Sequence, residues 1–248
     1  DVYKRQTRVF PKIVYHALAS FERPLSVVCA MGCGRSYGQE SSFFAKKNLG
    51  IFQSKIWDAL ERDFQTSTTA FVTDIGNDLA YEVPVETVVE WVKACLDRLE
   101  KVGAHIVMND LPMSALRGVG ASRYRLFRTV FFPYCRLSWS EMLDRAEKLS
   151  EQLHTISNSR NIPIFIGEKE DHHLDPIHPR SVALMQTWRE MFALAGIELL
   201  ENYIAENRFL LTRYLRSLRP ESWRFFWLQR HSQQPCGRLH DGTTIELY

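Results

Sequence analysis

Four short apolar runs separated by stretches of helical periodicity limit the folds open to this chain more than any other feature. Leu25–Met31 (LSVVCAM), Ala70–Ile75 (AFVTDI), Ala104–Leu111 (AHIVMNDL) and Ile162–Ile166 (IPIFI) each read as a buried strand. Val85–Val102 sets Val88, Val89, Val92, Cys95, Leu96 and Leu99 at three- and four-residue steps, with charges opposite, as an amphipathic helix requires. Ser140–Ile156 repeats the pattern with Ser140 as its expected N-cap, and Ser181–Leu194 follows Pro179 as a third helix. Alternating strands and helices predict an α/β fold whose parallel sheet is covered on both faces, because a parallel crossover needs a connecting helix.

Three segments follow from the patterning: an N-terminal lead over 1–24, an α/β domain over 25–197, and a basic, aromatic-rich helical extension over 198–248. The extension begins with an expected helix from Glu198 to Arg219 that Pro220 ends. Between Arg208 and Arg238 seven arginines face the single acid Glu221, a net +6 within a chain of total charge +2, so the body is mildly acidic. That balance argues against nucleic acid as a partner. Trp223, Phe225, Phe226 and Trp227 make 208–230 a candidate contact for a membrane surface or a protein, with packing back on the domain as the plainer expectation. Five irregularly spaced cysteines do not form a disulfide framework, and there is neither a secretory signal pattern nor an apolar run of the roughly 18 residues a membrane span needs. A reducing, cytoplasmic setting is the expectation.

In parallel sheets ligands sit beyond the carboxyl ends of the strands, so chemistry is sought there. After the first strand comes Gly32-Cys33-Gly34-Arg35-Ser36-Tyr37-Gly38, where glycines allow a sharp turn that exposes a serine hydroxyl. A simple Gly-rich turn reads the same way. After the second strand comes Asp74-Ile75-Gly76-Asn77-Asp78, in which Asn77 is able to aim an amide at a developing oxyanion, or Asn77 or Asp78 merely to close a turn. After the fourth, Asp175-Pro176-Ile177-His178 places a carboxylate and an imidazole in a proline-stiffened loop, the pairing of a general base with its orienting acid. The neighbouring Glu168, Glu170, Asp171, His172 and His173 add potential metal ligands, but usual zinc spacings are missing and a solvated charged loop explains them better, so neither metal nor cofactor is expected.

In this order the blocks resemble the SGNH hydrolases, the GDSL-type esterases and lipases, from Leu25 to the helix after Pro179. The resemblance implies a three-layer α/β/α domain with a mostly parallel, flavodoxin-like sheet, and a serine hydrolase acting on a small ester or acylated substrate. It implies Ser36 as nucleophile, Asp175 and His178 as the rest of the triad, and an oxyanion hole from the N–H groups of Ser36 and Gly50 and the amide of Asn77. Arg35 and Tyr37 would then stand at the substrate rim. Two positions depart from the family pattern: Arg35 replaces the usual acid before the serine, and Ile75 stands where a glycine is usual. A catalytically degenerate binding or interaction protein on the same fold is the competing expectation. Gly34-x-Ser36-x-Gly38 also fits the nucleophile elbow of α/β-hydrolases, but there several strands precede the serine and the acid lies far before the histidine. The same turn looks like one from FAD-linked oxidases, which leaves the Asp175–His178 loop without a role.

Between the third strand and its helix, Arg117 to Trp139 interleaves five arginines with Tyr124, Phe127, Phe131, Phe132 and Tyr134. A connection of that length reads as an irregular cover or a substrate lid, with arginines suited to acidic ligands.

Overall fold

The computed structural model describes residues 2–32, 34–43, 46–62, 67–167, 181–198, 208–225 and 228–248. These begin with α1 (Val2–Ser20), β1 (Ser26–Cys29), β2 (Ser41–Phe43), β3 (Lys46–Asn48), α2 (Ile56–Arg62), β4 (Thr69–Val72) and α3 (Val85–Lys101). They continue with β5 (His105–Asn109), α4 (Met113–Gly118), α5 (Ala121–Phe131), α6 (Trp139–Arg160), β6 (Ile164–Phe165) and α7 (Ser181–Leu194). The last elements are α8 (Arg208–Ser217), β7 (Ser222–Phe225), β8 (Leu228–His231), β9 (Gly237–Arg238) and β10 (Thr244–Leu247). The fold is mixed α/β, and no described helix is long and apolar enough to cross a membrane.

Strands β4, β5 and β6 form a parallel sheet in that order, with Val72 opposite Met108 and Met108 opposite Ile164. Alternation along β5 divides its side chains between two apolar clusters. Ile106 and Met108 join the stripes of α3 and α6, where Val88, Val92, Leu96, Leu149 and Leu153 are fully buried, while Val107 packs with Phe165 and with Met191 of α7. Burial on this scale, about 1.5–3 kcal/mol per large aliphatic side chain, is what holds α3 and α6 as helices against the sheet.

Helix α6 starts earlier than its sequence pattern suggests. Ser138, not Ser140, is the N-cap: its hydroxyl accepts from the Glu141 N–H, and the Glu141 carboxylate accepts from the Ser138 N–H at 2.7 Å. This reciprocal pair satisfies two donors that the helix end would leave open, which a lone serine two residues later does not. Ser138→Ala is expected to cost about 1 kcal/mol, read as a lower urea midpoint at constant m-value. An unshifted midpoint would mean that Glu141 alone secures the helix end.

Three sequence expectations change. Strand β1 does not hydrogen-bond to the β4–β5–β6 sheet; it pairs in parallel with β10, Val27 opposite Ile245, and β10 pairs antiparallel with β9. The 198–248 extension, expected to be helical, holds α8 and then four strands, and 199–207 of the expected long helix lie outside the described residues. Burial explains the exchange: Ile245 and Leu247 of β10 close a second core with Phe10, Val14 and Leu18 of α1 and Leu215 of α8, apolar surface that a helix at the chain's end would leave open. Within the lead segment, helix α1 covers this second core through Phe10, Val14 and Leu18. The Arg117–Trp139 stretch is not irregular either. It holds the end of α4 and all of α5, because no glycine or proline interrupts Ala121–Phe132 before Pro133.

Strands β2, β3, β7 and β8 form an antiparallel sheet in that order. It ties the segment just after Ser36 to the C-terminal part of the chain through Lys47 opposite Arg224.

Candidate functional site

The chain leaving β1 is drawn to the carboxyl end of β4 even though the two strands belong to different sheets. Main-chain bonds run from Ile51 N to Ser36 O at 3.0 Å and from Phe52 N to Tyr37 O at 2.8 Å, aligning 36–37 with 51–52. The Tyr37 hydroxyl donates to Thr73 O at 2.7 Å, just past β4. The 3-10 turn Ile75–Tyr81 completes the junction: Tyr81 donates its hydroxyl to Gly34 O at 2.6 Å, and Asn77 Nδ2 donates to Arg35 O at 3.3 Å. Ahead of that turn Asp74 holds φ +60°, a left-handed conformation that aspartate tolerates better than most residues.

Glycine is required at two points by close approach. A Cβ at Gly38 would lie 1.9 Å from the Trp91 indole, and one at Gly50 would lie 2.7 Å from the Gln39 main-chain nitrogen. Gly50 therefore sits directly against the loop that follows Ser36. Ser36, Gly50 and Asn77, far apart in sequence, are thus neighbours of one short segment.

Ser36 itself is 0% exposed. Its hydroxyl donates to Asp78 Oδ1 and accepts from Gly38 N at 3.2 Å and Gln39 N at 3.0 Å. Its own N–H donates to Ser41 Oγ at 3.2 Å, so this N–H is not the free oxyanion donor that the sequence led us to expect. The other Asp78 oxygen accepts from Tyr37 N at 2.8 Å. Burial raises the Asp78 pKa above the ordinary carboxylate value, and the bonds from Ser36 and Tyr37 partly offset that rise.

Arg35 and Tyr37 are corrected from the substrate rim to the interior, at 5% and 3% exposure. Arg35 donates to Leu49 O at 2.9 Å, to Met31 O at 3.2 Å and to Tyr248 O, so its fork spans three segments of main chain. Burial pushes its pKa down to about 10, which still leaves it charged at neutral pH. Three main-chain oxygens satisfy its donors there and offset part of the cost of burial, although the lowered pKa means that the cation is held less favourably than in water. Burial likewise pushes the Tyr37 hydroxyl well up.

Asp175 and His178 lie outside the described residues, as does the acidic and imidazole-rich run 168–173. Among the described residues no group of three or more His, Cys, Asp or Glu side chains is arranged to hold a metal ion. In the extension Leu215 is buried against α1 and β10 while Phe209 and Leu210 are exposed; the side chains at 223–227 lie outside the described residues.

Asp78, which in the sequence suggests only a turn-closing side chain, is the residue that grips the Ser36–Tyr37 segment. The available signal was its place beside Asn77 at a strand's carboxyl end, where a carboxylate gripping the preceding strand's loop is as useful as one closing a turn. Comparison of the chain with protein-family models, with curated proteins and with solved structures finds no match in any of the three.

Proposed function

We propose that this chain is a serine hydrolase of the SGNH type, cleaving an ester on a three-layer α/β/α frame. The observation that carries the reading is the meeting of the Ser36 turn, the Gly50 segment and the Asn77–Asp78 turn at the carboxyl ends of β1 and β4. Those are the places where such a hydrolase needs its nucleophile and its oxyanion donors. In this reading His178 takes the Ser36 proton as Oγ bonds to the ester carbonyl carbon. The tetrahedral oxyanion is held by Gly50 N–H and the Asn77 amide, and the alcohol leaves with the proton from His178. Water then attacks the acyl-enzyme, giving its proton to His178 and releasing the acid as Ser36 regains its hydrogen. Asp175 orients the imidazole and stabilises its charged form.

The complete burial of Ser36, with its hydroxyl and N–H already engaged, favours a second reading: a catalytically silent interaction module on the same frame. For turnover the loop from Ser36 to Gln39 must release the hydroxyl from Asp78. A fluorophosphonate probe discriminates the two, because it bonds only to an activated serine. The expected result is an adduct on Ser36 that disappears in Ser36→Ala, together with loss of short-chain aryl ester turnover. An unlabelled Ser36, or turnover that survives Ser36→Ala, would remove the hydrolase assignment.

A further inference from the structure

A cavity of about 390 Å³ opens beside the start of α6, within the size range of small-ligand sites. Arg125 and Arg128 of α5, Arg136 from the turn after it, and the rings of Tyr124 and Trp139 line it. The two rings stand 5.3 Å apart and form an apolar wall beside three guanidinium groups.

The local sequence is one-signed, with five arginines and no acid from Arg117 to Trp139. Among the described residues none of the three lining arginines is in an ion pair, and only Arg128 has a side-chain hydrogen bond, from Nη1 to Leu137 O at 2.9 Å. The nearby carboxylates are engaged by main chain: Glu82 accepts from Arg136 N, and Glu141 accepts from Ser138 N at 2.7 Å. The end of α6 is already capped by Ser138, so attraction for an anion comes from the arginines rather than from the helix. Three like charges around one cavity repel one another unless a multiply charged anion sits among them, and planar guanidinium forks match phosphate oxygens two at a time.

We propose that this cavity binds a phosphate monoester, with the phosphate among Arg125, Arg128 and Arg136 and the organic part against Tyr124 and Trp139. A soluble metabolite and a lipid headgroup both present that chemistry. Leu126 and Val130 on α5 and Tyr134 beyond it, exposed at 65%, 51% and 92%, would meet the lipid in the second case. The site is separate from Ser36, so its occupancy does not depend on ester turnover.

The test is calorimetric titration of the full chain with phenyl phosphate, with phenol as the uncharged control. Phenyl phosphate is expected to bind and phenol not to. Arg125→Gln combined with Arg136→Gln should weaken binding about tenfold or more, the loss of charge-assisted hydrogen bonds. Neither side chain makes a hydrogen bond among the described residues, so the far-ultraviolet circular dichroism should not change. Arg123→Gln, on the same helix but outside the cavity lining, should bind as the wild type does. The Ser36→Ala chain should also bind normally, which separates this site from the hydrolase reading. Vesicles of phosphatidylcholine with and without phosphatidic acid then identify the source. Binding of phenyl phosphate together with the phosphatidic acid vesicles assigns a lipid headgroup, and binding of phenyl phosphate alone assigns a soluble ligand. No binding of phenyl phosphate at millimolar concentration, an unweakened double variant, or an equal loss in Arg123→Gln would overturn the site.

Discussion

Asp78→Ala is expected to destabilise the fold by about 3 kcal/mol or more. The change strands the Ser36 hydroxyl and the Tyr37 N–H, two buried groups that the carboxylate now serves, at about 1–3 kcal/mol each. Urea unfolding of the purified variant measures it, and a loss below about 1 kcal/mol would mean that water or a neighbour replaces the carboxylate. Asp78→Asn isolates the electrostatic part. Burial raises the Asp78 pKa from its ordinary 3.8, so the folded chain holds that proton more tightly than the unfolded chain does. The stability this supplies is fully present below the ordinary value and is lost as pH rises through the raised one. Asparagine does not titrate. The difference in unfolding free energy, wild type minus Asp78→Asn, should therefore decline as pH rises above about 4 and then level off. A difference that stays flat, or that grows with pH, would contradict the burial-driven shift.

Arg35→Met should be comparably damaging, although methionine fills much of the same space. The substitution removes the donors to Met31 O, Leu49 O and Tyr248 O inside the protein, and those partners are main-chain oxygens rather than a charge that could be neutralised along with it. At about 1–3 kcal/mol for each unsatisfied group, a loss of about 3 kcal/mol or more is expected. For a chain of this size that lowers the melting temperature by roughly 6 °C or more. Arg35→Lys, which keeps the charge but not the planar fork, should fall between the two. A variant Arg35→Met that melts with the wild type would show that the guanidinium does not brace the junction, and would reopen a role for this position toward substrate.

Ser36 and Asp78 make the same junction serve both stability and the proposed chemistry. The bond that satisfies the buried carboxylate is the one that must break before the serine can attack. Asp78→Asn is then informative for activity as well, because weakening the grip on Ser36 should increase fluorophosphonate labelling wherever the chain still folds.

The most periodic helices, α3, α6 and α7, were legible in the residues, whereas α1, α2, α4 and α5 were not. Helix α3 covers Val85–Lys101 where the pattern indicated Val85–Val102, and α7 covers Ser181–Leu194 as indicated. A helix's hydrogen bonds close within four residues, so the information that forms it is local and periodic. The strands β4, β5 and β6 were also visible, although longer in the sequence than in the sheet, since an apolar run does not mark where ladder bonding stops.

What remained hidden was the choice among distant partners. Strand β1 pairs with β10, more than two hundred positions away, rather than joining the sheet of β4, because that choice depends on which surface α1 and α8 leave to be covered. Arg35 turns inward toward carbonyls contributed by three segments, and Ser36 gives its hydroxyl to Asp78, 42 residues on, in arrangements that no local pattern encodes. Residue order specified the strongly periodic helices α3, α6 and α7 and the chemical groups at the strand ends. Packing in three dimensions decided which groups meet water and which meet one another, because burial and hydrogen bonding are settled among neighbours in space rather than along the chain.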